Sequence, residues 1–252
     1  MRKEKNINVN IPIIIPAYEP DEKLLELLEK LKEYSLENIV IVNDGSGEKY
    51  KSFFQTAKMK YNCVILEHGE NKGKGRALKT AFEYCLENDS DLVGCITADS
   101  DGQHTPEDIE RCMNALVEHV DMLILGTRDF DGENIPAKSR FGNKLTRCIC
   151  KYLCGLSIAD TQTGLRGIPK EFMQKLLSVE GERFEFETNM LIDVYSDRIE
   201  HSARWFRADL PPFQSNLSAL LSTTFRKSSA YLSGYECNDR FSIPPESLFR
   251  AL

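Results

Sequence analysis

Apolar positions along this chain fall into two alternating patterns. The continuous runs "IPIIIPAY" (11–18), "NIVIVNDGS" (38–46), "CVILEH" (63–68), "LVGCITA" (92–98) and "DMLILGTR" (121–128) read as strands buried on both faces. Between them, over 21–34, 48–60, 75–88 and 105–119, apolar residues recur at the spacing of one helix face. The punctuation agrees. Asp21 and Thr105 stand at N-cap positions, Pro106 takes a first helical position, and Asp44-Gly45-Ser46 ends the second run as a turn. Strand–helix alternation of this kind predicts an α/β fold with a mostly parallel central sheet and helices on both faces.

Sheets of that type bind ligands beyond the C-terminal ends of their strands. Tyr18, Asp44, Asp99, Asp101 and Arg128 all fall just after predicted strands, so they converge on one polar edge. Past residue 128 the pattern changes. A polar loop (129–139) leads to a predicted helix over 139–154, with Arg140, Lys144, Arg147 and Lys151 beside a Leu/Ile/Cys/Tyr face. The loop "ADTQTGLRGIP" (159–169) follows, then helices over about 169–178 and 186–196. Beyond 198 the chain is rich in Ser, Arg and Pro, and its periodicity fades.

Composition narrows the class without changing this outline. The 252 residues are 41% hydrophobic and 28% charged, as expected of a globular protein with a real core. A net charge of −7 excludes a general nucleic-acid binder, which needs a basic surface. No apolar run reaches bilayer-spanning length, and "MRKEKNINVN" lacks the apolar stretch of a signal peptide, so a cytoplasmic location is expected. The eight cysteines (Cys63, Cys85, Cys95, Cys112, Cys148, Cys150, Cys154 and Cys237) match no zinc spacing and read as free thiols of a reducing compartment.

The candidate chemistry centres on "CITADSDGQH" (95–104), where Asp99 and Asp101 end a buried strand two positions apart. On extended backbone both carboxylates face the same way, and hard oxygen ligands suit Mg²⁺ or Mn²⁺, with Gln103 able to add a neutral oxygen. A solvated, helix-capping turn is the alternative. Asp44 is either a turn residue or an acceptor for a nucleobase or ribose hydroxyl. "ENKGKGRALKTAF" sets Lys72, Lys74 and Arg76 around two glycines at a helix start, a setting for phosphate or acidic groups, although the lysines also suit a plain solvated surface. The P-loop spacing is absent, which disfavours a nucleotide hydrolase. Asp160, Gln162 and Arg166 fall in a Gly-containing loop, and of the four histidines only His104 lies beside the aspartate pair.

Together, "IPIIIPAYEP", "VIVNDGS", "NKGKGRALKTAF", "TADSDGQH", "GTRDF", "SRFGN", "DTQTGLRGIP" and "FEFETNML", in this order, resemble glycosyltransferase family 2 over residues 10 to 195. The resemblance is to the branch of dolichyl-phosphate mannose synthases and bacterial polyprenyl-phosphate glycosyltransferases. It implies a GT-A fold over 1–197, with a nucleotide-sugar-binding half (10–128), an acceptor-side half (129–197) and a divergent tail (198–252). It also implies a nucleotide-sugar donor, a divalent metal (Mg²⁺ or Mn²⁺) and inversion at the anomeric carbon. By motif, Pro16, Ala17, Tyr18, Glu19, Asp44 and Lys74 would hold the donor. Asp99 would face the ribose or metal, and Asp101 and Gln103 would hold the metal on the diphosphate. Arg128, Arg140, Gln162 and Arg166 would bind acceptor phosphate, with Asp160 alongside. Asp101, Asp160, Arg140 and Arg166 are the expected catalytic set. A polyprenyl-phosphate acceptor and peripheral contact with the cytoplasmic face of a membrane are expected. A saccharide acceptor needing Asp160 or Glu187 as base, or a donor-binding protein with impaired catalysis, are the alternatives. The chain departs from the family at Glu19-Pro20, where Asn-Glu is usual, and after "FEFETNMLIDV", where the usual strand, loop and closing amphipathic helix are not recognisable.

Overall fold

The computed structural model describes residues 10–126, 164–201 and 208–209. Seven strands form one sheet in the order β3-β2-β1-β4-β6-β5-β7: β1 (Ile13–Ala17), β2 (Ile39–Asn43), β3 (Val64–Glu67), β4 (Gly94–Thr97), β5 (Ile124–Leu125), β6 (Arg166–Pro169) and β7 (Ala208–Asp209). All neighbours are parallel except β6, which runs antiparallel to both β4 and β5. The helices are α1 (Glu22–Glu33), α2 (Lys51–Tyr61, after a 3₁₀ turn at Glu48–Tyr50), α3 (Lys74–Asn88), α4 (Pro106–Glu118), α5 (Lys170–Leu176) and α6 (Glu185–His201).

Alternation along β1 shows why its run is apolar throughout. Ile13, Ile15 and Ala17 pack with Leu24, Leu27, Leu28 and Leu31 of α1, Phe54 of α2 and Ile109 of α4. Ile14 faces the other way, toward Phe82 of α3, Phe172 of α5 and Phe186 of α6. The four α1 leucines are wholly buried, each worth about 1.5–3 kcal/mol. The expected caps are in place: the Asp21 carboxylate accepts from Lys23 N (3.0 Å), and Thr105 Oγ1 accepts from Asp108 N (3.2 Å).

Two expectations are corrected. The fifth strand, expected over 121–128, is confined to Ile124–Leu125 in the described residues. The segment expected as a loop over 159–169 contains β6, whose four residues are all buried. Gly167 and Pro169 weaken its strand signal, and its place in the sheet is fixed by partners far away in sequence.

Pro16 interrupts a central strand, where a missing N–H is usually costly. Its backbone faces the same side as Ile14, whose carbonyl accepts from Ala98 N (3.0 Å). Pairing of β1 with β4 ends at Ile14, so no ladder bond is lost at Pro16. The two strands part there, at the point where the strand order reverses, and open the crevice in which such sheets hold ligands.

Candidate active site

The crevice wall on the β1 side is set by backbone. Ala17 is buried, Tyr18 is 51% exposed, and Glu19 adopts φ +50°, a left-handed conformation uncommon outside glycine. Glu19 N donates to Ser46 Oγ (2.9 Å), while Ser46 N donates to Asn43 Oδ1 (2.9 Å). The Tyr18–Glu19 turn is thereby tied to the loop after β2. Pro16, Ala17, Tyr18 and Glu19 lie together at this edge, as expected.

Asp44 follows β2 on the same edge and is buried. It is 3% exposed, and its carboxylate is fully engaged: Oδ1 accepts from Lys72 N (2.9 Å) and faces His68 Nδ1 (2.7 Å), and Oδ2 accepts from Gly73 N (2.9 Å). His68 Nε2 in turn meets Thr80 Oγ1 (3.0 Å) on α3. Asp44 therefore shapes the turn that delivers Lys74 to the first position of α3.

From that position Lys74 Nζ bridges two carboxylates, Asp99 Oδ1 at 2.7 Å and Glu187 Oε2 at 2.9 Å. Burial alone would lower the ammonium's pKa, but the two carboxylates outweigh it and hold the group well above the usual lysine range. Burial would likewise raise the Asp99 carboxyl, and Lys74 with His104 more than reverses this, holding it well below the usual carboxylate range. Glu187 reaches Arg166 as well: Nη1 donates to the Glu187 carbonyl (2.9 Å), and Nη2 lies 3.7 Å from Oε1. Arg166 is 1% exposed on β6, under α6 instead of on a surface loop.

The basic turn expected to meet phosphate or acidic groups is roofed by an acidic segment of the chain itself. Glu182 takes Arg76 in a two-pronged pair and Lys79 at 3.3 Å, and its carbonyl accepts from Arg76 N (2.8 Å). Gly75 makes this closeness feasible, since a Cβ there would stand 2.6 Å from Phe186 Cβ. Lys72 remains exposed at the edge of this turn. Glu182, Lys79 and His68 were not legible in the sequence as site residues, because their partners lie far away along the chain or on another element.

Asp101 follows β4 in a turn, where Gln103 N (3.1 Å) and Gln103 Nε2 donate to its two oxygens. Asp101 and Gln103 are half-buried, on the same edge as Asp99. Among the described residues no group of three or more His, Cys, Asp or Glu side chains forms a metal cage. The donor set does fit a hard divalent cation that takes one or two carboxylates and leaves other positions to phosphate and water. Gly164 comes so close to Asp99 that a Cβ would lie 2.1 Å from Oδ2, and the Gly164 carbonyl accepts from Thr97 Oγ1 (2.8 Å). Arg128, Arg140, Asp160 and Gln162, the helix expected over 139–154 and the tail lie outside the described residues.

A mostly parallel sheet with one antiparallel insertion, carrying an aspartate pair at its reversal point, is the arrangement of the GT-A fold. The model of "Glycosyl transferase family 2" matches residues 13–177, and the chain belongs to that family; it is a glycosyltransferase. An uncharacterized protein of Methanocaldococcus jannaschii is 32% identical over 201 residues, 75% of this chain and 80% of that one. A UDP-N-acetylglucosamine–dolichyl-phosphate N-acetylglucosaminyltransferase of Methanococcus voltae is 28% identical, over 71% of this chain and 76% of its own. A polyprenol monophosphomannose synthase of Mycolicibacterium smegmatis is 25% identical, over 71% and 69%. Among solved structures, the glucosyl-3-phosphoglycerate synthase of Mycobacterium tuberculosis, in complex with Mn²⁺, UDP and glucosyl-3-phosphoglycerate, shares the fold with a TM-score of 0.60 at 15% identity, over 80% of this chain and 70% of that one.

Proposed function

We propose that this glycosyltransferase moves a sugar, with inversion, from a nucleoside-diphosphate sugar of the GDP-mannose or UDP-glucose type to a polyprenyl phosphate. Asp101 and Gln103, with Asp99 beside them, would hold a Mg²⁺ or Mn²⁺ ion on the donor diphosphate. Such an ion would offset the charge developing on the departing nucleoside diphosphate. Tyr18 and Glu19 form the nucleoside wall, Asp44 fixes the turn beneath it, and Lys74 supplies positive charge at the phosphates. Arg128, Arg140 and Gln162 are assigned to the acceptor phosphate. Arg166 serves that side by holding α6.

The observation that carries the lipid-phosphate reading is the state of Glu187. A sugar hydroxyl needs a base to take its proton, whereas a phosphate monoester, with a second pKa of about 6, is already largely ionised at neutral pH. The Glu187 oxygens face Lys74 and Arg166, so this carboxylate is placed as a counter-ion and not as a free base. A phosphate nucleophile needs only alignment and charge compensation. Relatives that act on dolichyl phosphate and produce a polyprenol phosphomannose support the same acceptor class. No helix among the described residues is long and apolar enough to cross a membrane. A lipid-phosphate acceptor would bring the enzyme to a membrane surface, for which we propose peripheral contact on the cytoplasmic face. Labelled GDP- and UDP-sugars offered with either polyprenyl phosphate or oligosaccharide decide the matter. Label is expected in the lipid fraction; label confined to the saccharide overturns the lipid-phosphate reading.

A further inference from the structure

His104 is the one buried side-chain polar atom site among the described residues left without a hydrogen-bond partner, at Nε2. The side chain is 10% exposed, and Nε2 stands 3.5 Å from Asp99 Oδ2. A buried imidazole nitrogen without a partner in ordinary hydrogen-bond geometry is costly, and Asp99 Oδ2 is the acceptor within reach. Its position is not a matter of loop freedom. His104 immediately precedes Thr105, the side-chain cap of α4, and Pro106 fixes the next backbone angle.

The Asp99 carboxylate is approached from three sides. Lys74 takes Oδ1, Gly164 lies against the carboxylate group, and His104 faces Oδ2. We propose that His104 is a positioning residue for the metal–diphosphate site: with its proton on Nε2, it holds Oδ2 and so fixes the plane of the Asp99 carboxylate between Lys74 and His104. The proposal rests on the reading of Asp99, Asp101 and Gln103 as that site. Partners standing behind ligating groups in this way commonly govern affinity by about 10–100-fold.

The test uses full-length protein, with Mn²⁺ binding followed by electron paramagnetic resonance in the presence of a nucleoside diphosphate, alongside kcat and KM for donor. His104→Ala is expected to weaken nucleotide-dependent Mn²⁺ binding by about 10-fold or more and to raise donor KM more than it lowers kcat. His104→Gln carries an amide N–H at similar reach and is expected to recover most of the loss. Three results overturn the inference: His104→Ala binding Mn²⁺ like the parent, the Ala and Gln variants losing equally, or both being restored by nothing more than a lower temperature. Asp101→Ala separates the two levels of the reading. If the parent binds Mn²⁺ and Asp101→Ala does so equally well, the metal-site reading fails and His104 with it; if only His104→Ala matches the parent, the site stands and His104 alone is dismissed.

Discussion

At Lys74 one ammonium meets two carboxylates brought from distant parts of the chain, Asp99 and Glu187. Both Lys74 and Asp99 attract notice in the sequence, the first beside two glycines and the second at a strand end. That they touch is not legible there, because no local period links residues so far apart. Asp44 and Arg166 teach the complementary lesson. Each looks like a ligand-facing residue in a polar loop, and each is buried, with its charge spent on backbone N–H groups or on a neighbouring helix. Removing one member of a buried pair leaves a charge uncompensated, at a cost of about 3 kcal/mol. Lys74→Met should therefore lower the unfolding free energy from urea titration by about that amount, and Asp99→Asn placed in the same chain should give part of it back. An unfolding free energy within about 0.5 kcal/mol of the parent's would mean that water screens the pair.

Among the elements, α3 and the segment leading into α6 are joined by polar clips laid over close glycine contacts. The helix periods of both were evident in the sequence; their docking was not, since it depends on Gly75 admitting Phe186 and on Glu182 reaching back to Arg76 and Lys79. Burial pushes the Glu182 carboxyl up, but Arg76 and Lys79 outweigh it and hold it below the usual range. A carboxyl lowered by folding adds stability above its unfolded value, about 4.3, and that stability is lost as pH falls through the folded value. Glu182 is 44% exposed, so screening limits the effect to about 0.5–1 kcal/mol. Melting curves of the parent and Glu182→Gln should differ by a constant amount near neutral pH and converge in acid. A gap that persists at about pH 3 would assign the difference to packing and not to charge.

For the whole molecule, alternating strand and helix patterns were enough to predict the sheet and its two covered faces. They missed the antiparallel strand, because a four-residue segment holding Gly167 and Pro169 carries little strand propensity of its own. Stability of the assembled molecule should report on donor binding through simple linkage, about 2.7 kcal/mol at a ligand concentration 100 times Kd. A nucleotide sugar should accordingly raise Tm when Mg²⁺ or Mn²⁺ is supplied and have little effect in chelator. A shift of equal size in chelator would remove the metal from the donor site.

The antiparallel course of β6 also bears on how this protein can change. Coming late in the chain, β6 lies between β4 and β5 and supplies buried residues to the same core. The described segments 10–126 and 164–201 are thus interleaved like the teeth of a zip, and neither could be exchanged as a cassette without opening the sheet. Sequence change that keeps the protein folded must therefore fall outside the sheet, while the woven centre stays as it is.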